Sequence, residues 1–274
     1  MAKSLKTIAG AVLAALVFGF CYAPVMAGMF GQWMNDEDMG HGVLVAPVVA
    51  WILWRDRARL SAVERRPSAW GWLILVGAAA LQAASALGAG LFAGALSLWF
   101  SMAGVTVVLF GFPMLRACLL AWLLCLFMLP KLAFVYNSAT LGLQLVAARL
   151  AEGFLHVAGF AAAREGAILR IGARSVTVAE ACNGIRYLLP LSFLSLVLAF
   201  LAGARRWMYF AMPVVAVAVS IGANAIRVAI ATARPELLDG SAHAALGWVV
   251  FAGAFASLGA AYAFLARLTR GSHA

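Results

Sequence analysis

Apolar residues run through this chain in long blocks broken by short polar gaps, and those blocks define its elements. They cover about residues 7–30, 42–54, 70–88, 90–111, 114–135, 185–203, 207–231 and 243–266. A helix of about 20 apolar residues crosses a bilayer core of about 30 Å, so the pattern predicts about eight transmembrane helices. The 42–54 block is short and needs help from flanking residues or from burial against its neighbours.

Residues 136–183 are the one sizeable piece without such a block. Leu141, Leu145, Ala148, Leu150, Leu155 and Val157 alternate there with Gln144, Arg149, Glu152 and His156 in a rough helical rhythm, which predicts an amphipathic helix on the membrane surface. Then 167–171 and 176–179 read as strands joined by a turn at 172–175, a β-hairpin that delivers Cys182 to the head of the sixth block. The expected fold is an all-α polytopic membrane protein with a small extracytoplasmic amphipathic helix and β-hairpin before Cys182. No internal repeat or low-complexity linker divides it. One domain is therefore expected over 1–274, with 136–183 as an extracytoplasmic insertion and 268–274 as a cytoplasmic tail.

Composition agrees with lipid as the main solvent: 65% of residues are hydrophobic, 11% are charged, and mean hydropathy is +0.99. The net charge of +10 raises the question of nucleic acid. Most of the basic residues, though, sit at the edges of apolar blocks or in the gaps between them, at Lys3 and Lys6, at Arg55, Arg57, Arg59, Arg65 and Arg66, and at Arg116, Arg205, Arg206, Arg267 and Arg270. That is a positive-inside signal, not a phosphate-binding face. With an even number of spans and a cytoplasmic start, every one of these clusters falls inside, while Asn35-Asp36-Glu37-Asp38, Glu236 and Asp239 fall outside. The expected location is the plasma (inner) membrane, with both termini cytoplasmic and residues 136–183 outside. Lys3, Lys6 and Val25-Met26-Ala27 also permit a cleaved signal peptide over residues 1–27, which would leave the rest of the topology unchanged.

Ionisable groups are costly in a bilayer and therefore rare unless used. Cys182 is flanked by Glu180, Asn183, Gly184 and Arg186, at a predicted helix start. Unpaired N–H groups and the positive dipole end there favour a thiolate and can hold an oxyanion. Cys21, Cys118 and Cys125 lie inside apolar blocks and read as small hydrophobes. No CxxC pair or metal-ligand spacing occurs, so no metal or cofactor is expected. Asn224 and Arg227 share a helix face near the outer end of the seventh block, where Arg227 either snorkels to the interface or serves a site. His243 opens the eighth block, as an interfacial histidine or as a base for Cys182. The loop charges assign Cys182, Arg227 and His243 to one face of the membrane. Arg186, a turn after Cys182, could stabilise a thiolate or pair with Glu180.

Glu180-Ala181-Cys182-Asn183-Gly184-Ile185-Arg186, Asn224-Ala225-Ile226-Arg227 and His243 with Gly247-Trp248 resemble the motifs of the exosortase/archaeosortase family of membrane cysteine transpeptidases. An upstream stretch, His41-Gly42-Val43-Leu44-Val45-Ala46-Pro47 leading to Trp54-Arg55-Asp56-Arg57, fits as well, and the likeness covers about 33–266 in order. The resemblance implies Cys182 as nucleophile forming an acyl-thioester, Arg227 as stabiliser of the oxyanion or leaving group (or as proton donor), and His243 as general base or transition-state stabiliser. Glu180, Asn183, Arg186 and Asn224 would support them. The residue after the cysteine is commonly Ser in that family, whereas this chain has Asn183, which bears on the subfamily and its substrate motif. Implied partners are membrane-anchored proteins with a C-terminal sorting signal: a short motif such as Pro-Glu-Pro, one transmembrane helix and a basic tail. The competing reading is a transporter or scaffold with a structural polar cluster, which would place charges in mid-span or in broken-helix pairs; few ionisable groups lie deep in any block.

Overall fold

The computed structural model describes residues 2–178, 184–237 and 240–271 and is mostly helical, with one small sheet. The chain forms two compact units, 1–132 and 133–274.

The first unit holds α1 (Ala2–Asn35), α2 (Gly42–Arg55), α3 (Arg57–Ser61), α4 (Trp70–Ala84), α5 (Gly90–Phe110), α6 (Phe112–Ala117) and α7 (Leu119–Leu124). The apolar stretch from Trp70 to Phe110 folds back on itself where Gly88 and Gly90 take φ of 108° and 83°, a region open to glycine at little cost. Small residues then let α4 and α5 pack closely: a Cβ on Gly71 would come within 2.6 Å of the Val108 backbone. Ser97 donates to the Ala78 carbonyl at 2.6 Å, and the Tyr22 hydroxyl bonds both Ser97 and Ser101, tying α1 to this hairpin. Trp99 and Trp122 stack at 3.7 Å and each indole N–H donates to the other's carbonyl, which joins α5 to α7.

The expected single span over 114–135 is not found. This segment is broken into α6, α7 and a 3-10 turn over Cys125–Met128, with Leu119–Met128 the apolar part. Pro113 restarts the helix at α6, and Pro130 follows its end. Among the described residues, four helical stretches are long and apolar enough to cross a membrane, Leu16–Asn35, Trp70–Phe110, Met208–Ala233 and Gly240–Leu268, the second of them bent into the α4–α5 hairpin.

The second unit comprises α8 (Ala133–Val157), strands β1 (Ala162–Glu165), β2 (Ile168–Ile171) and β3 (Arg174–Thr177), then α9 (Ile185–Leu201), α10 (Met208–Ala233) and α11 (Gly240–Gly271). The sheet is antiparallel in the order β1-β2-β3, so the expected hairpin is the second half of a three-stranded meander. The turn is also tighter than expected, with Ile171 paired to Arg174 across Gly172-Ala173. Gly166 and Gly172, at φ of 62° and 59°, open the two two-residue turns. β1 escapes a pattern reading because Ala162-Ala163-Arg164-Glu165 has neither alternation nor β-branched residues.

α8 forms over the expected stretch, but only part of its apolar set is buried, and Gln144 of its polar set is buried with it. Leu141, Leu145, Leu150 and Val157 are exposed, whereas Thr140, Gln144, Ala147, Ala148, Ala151 and Leu155 are buried. Ala148, Ala151 and Leu155 share a core with Leu169 of β2 and with Val228 and Ala229 of α10. Small side chains permit that approach, and the leucines are left facing outward. α9, α10 and α11 pack around Tyr187, Leu191, Met208, Met212, Ala216, Ala254 and Leu258.

Candidate active site

Three helix ends of the second unit meet. The N-cap of α9 is Gly184, left-handed at φ of 87°, and a Cβ there would sit 3.2 Å from the Asn224 amide on α10. Glycine serves twice, in conformation and in space. Asn224 and Arg227 lie one turn apart on α10, 2% and 3% exposed. His243 stands in the first turn of α11.

Arg227 Nη2 lies 2.7 Å from His243 Nε2. Guanidinium is always protonated and can only donate, so Nε2 must accept. The ring proton then sits on Nδ1, which donates to the Leu237 carbonyl at 3.0 Å. Two contacts thus set the tautomer of His243, and Nε2 carries its lone pair toward Arg227. Burial inside the unit removes interfacial snorkelling as the account of Arg227. Its Nε is enclosed without a hydrogen-bond partner among the described residues.

Tyr187, on α9 and 3% exposed, completes the cluster and was not anticipated. Its ring lies under the Arg227 guanidinium at 5.8 Å and stacks on Phe251 at 6.1 Å, while its hydroxyl donates to the Gly247 carbonyl at 3.2 Å. A tyrosine near the end of an apolar helix is usually an interfacial anchor, so nothing in sequence singles it out. Gly247 is now placed: a Cβ there would stand 3.6 Å from the Tyr187 hydroxyl and 3.7 Å from Arg227, ordinary contact distances. Trp248 points away and is 74% exposed.

The structure therefore brings Asn224, Arg227 and His243 together beside Gly184. Arg186 is half-buried on α9 and engaged in interactions of its own. Glu180, Cys182 and Asn183 lie outside the described residues. Cys21, Cys118 and Cys125 are free thiols, Cys125 donating to the Ala121 carbonyl.

In the first unit, His41 and Gly42 occupy the turn between α1 and α2. Gly42 is required because a Cβ would meet the Trp33 indole at 2.4 Å, and that indole donates to the Met128 carbonyl. Lys131 bridges Asp36 at 2.7 Å and Asp38 at 3.0 Å. Burial holds the His41 imidazole below its ordinary pKa, and the nearby Phe127 and Asp38 carbonyls and the Asp38 carboxylate offset this only in part.

A family model described as transmembrane exosortase matches residues 33–260. The chain belongs to the transmembrane exosortase family. Exosortases are in general cysteine proteases or transpeptidases that act on sorting-signal substrates in the membrane, and an exosortase is a membrane protein, in keeping with the apolar helices here. No curated protein and no solved structure matches the chain. Among the described residues, no group of His, Cys, Asp and Glu is arranged to hold a metal ion.

Proposed function

We propose that this exosortase is a membrane-embedded cysteine protease or transpeptidase that cleaves C-terminal sorting signals of exported proteins through an acyl-thioester on Cys182. The observation that carries the reading is the buried Arg227 paired with the half-buried His243, 2.7 Å apart toward the ends of α10 and α11, beside the Gly184 that opens α9. Cys182 is two residues from Gly184, a Cα separation of at most about 7.6 Å for two peptide units. The basic pair Arg205 and Arg206 between α9 and α10, and the acidic Glu236 and Asp239 after α10, support an orientation with this end of the unit on the outer face of the plasma membrane, where a sorting motif just outside a transmembrane helix would lie.

The chemistry balances as follows. The Cys182 thiol proton passes to His243 Nε2, and Sγ bonds to the scissile carbonyl carbon, whose oxygen takes the negative charge. A protonated Nε2 can no longer accept from Arg227, so the guanidinium is released as the oxyanion forms and turns to hold it. The C–N bond then breaks, His243 returns the proton to the leaving amine, and the acyl group rests on Cys182 until water or an amine takes it. An electrostatic role suits Arg227 better than proton donation, because a guanidinium holds its protons through any ordinary proton transfer. Tyr187 keeps the guanidinium and the second turn of α11 in register.

The test is processing of a tagged reporter that carries a Pro-Glu-Pro motif, one transmembrane helix and a basic tail, co-expressed with the full chain. Cys182→Ala should abolish the size shift with normal insertion, while Cys21→Ala, Cys118→Ala and Cys125→Ala process near normally. Full processing by Cys182→Ala would end the enzyme reading.

A further inference from the structure

Gln144 is 7% exposed, yet its amide has no hydrogen-bond partner among the described residues. It lines a cavity of about 270 Å³ together with Asn137, Thr140 and Leu141. The positions are i, i+3, i+4 and i+7 from Asn137, one stripe of α8. Thr140 donates back to the Tyr136 carbonyl at 2.8 Å, which leaves the two amides as the groups able to take a ligand.

An amide side chain offers both a donor and an acceptor, the complement of a peptide unit. The setting sharpens this match. Elsewhere α8 shows Phe134, Leu145, Leu150 and Phe154 outward, a surface for lipid. A helix entering from the bilayer has no unmet backbone groups and would gain nothing from a polar stripe. An extended peptide does have them, and in an apolar setting protein groups must satisfy each one. The volume falls just below the range of about 300–1,000 Å³ usual for small-molecule pockets, room for a short stretch of chain. One turn further along α8, Ala148 shares a core with Val228, the residue after Arg227.

We infer that the Gln144 cavity receives the extended backbone of the substrate peptide next to the scissile bond, an inference that rests on the Cys182 reading. The experiment uses the full chain in lipid vesicles with the same reporter, titrated to saturation. Gln144→Leu removes binding shared by ground and transition states, so the half-saturating reporter level should rise about tenfold with the rate at saturation unchanged. Gln144→Asn, which keeps the amide on a shorter stem, should recover part of that loss. Independently, a photo-reactive side chain at position 137 in the Cys182→Ala background should form adducts on reporter residues flanking the cleavage site, while one at position 145 should not. Unchanged half-saturation in Gln144→Leu, or adducts from position 137 confined to the reporter's transmembrane helix, would overturn the inference and leave a water-filled cavity only. If Gln144→Leu does not fold, the position 137 adducts decide. Normal processing by Cys182→Ala would instead remove the parent reading, so the two failures are distinguishable.

Discussion

Replacing Arg227 by Lys keeps a positive charge and removes the planar fork. In the resting site Arg227 makes one charge-assisted bond to His243 at 2.7 Å, worth about 1.5–3 kcal/mol, and lies over the Tyr187 ring at 5.8 Å, near the outer limit of a useful cation–π contact. A lysine ammonium can still donate to Nε2, so the resting state should persist and the protein should fold. The difference falls in the transition state. There the guanidinium must give up His243 and meet the oxyanion with a donor already aimed by the Tyr187 face, which a flexible four-carbon stem cannot reproduce. Loss of one such donor costs about 2.7–4 kcal/mol, or about 10²–10³ in rate. Because the interaction arises only as charge develops, kcat and kcat/KM should fall together and KM should barely move. Steady-state cleavage of the reporter in vesicles, with reporter titrated past saturation, measures both. Wild-type rates in Arg227→Lys, or a loss confined to KM, would refute the oxyanion role.

Tyr187→Phe keeps the ring under Arg227 and removes the hydroxyl that donates to Gly247, a bond worth about 0.5–1.5 kcal/mol net, so reporter cleavage should stay within about tenfold of wild type; an inactive but folded Tyr187→Phe would mean that the hydroxyl meets the reacting groups. His41 has its pKa lowered by folding, so the unfolded chain binds more protons below the ordinary histidine value of 6.5, and stability should fall as pH drops through that window. Thermal unfolding in detergent between about pH 7.5 and 5.5 should show this slope, and His41→Gln should flatten it; an equal slope in both proteins would exclude His41 as its source. For topology, single-cysteine variants at Glu37 and Ser241, in a chain without its native cysteines, should react with an impermeant maleimide in intact cells, and one at Ala62 should not. Labelling at Ala62 from outside would move the proposed site to the cytoplasmic face.

The apolar blocks determined the membrane class and most of the helices, because a bilayer imposes length and composition on any span whatever its neighbours are. The motifs around Cys182, Arg227 and His243 were equally legible, since charged groups in so apolar a chain stand out by themselves. Less was legible where packing decides. α8 reads as a leucine-faced surface helix, yet its alanines are buried because only small side chains admit the backbone of α10, and lipid accepts the leucines left outside. The 114–135 block has the hydropathy of a span, but it breaks at Cys118 and ends near Met128, with Trp122 held against Trp99. Tyr187 could not be found from its sequence neighbours, because its function as a platform depends on where α10 and α11 present Arg227 and Gly247. The same holds for the tautomer of His243: the residue type supplied a candidate base, and only two contacts from distant positions, Arg227 and Leu237, decide which nitrogen carries the proton.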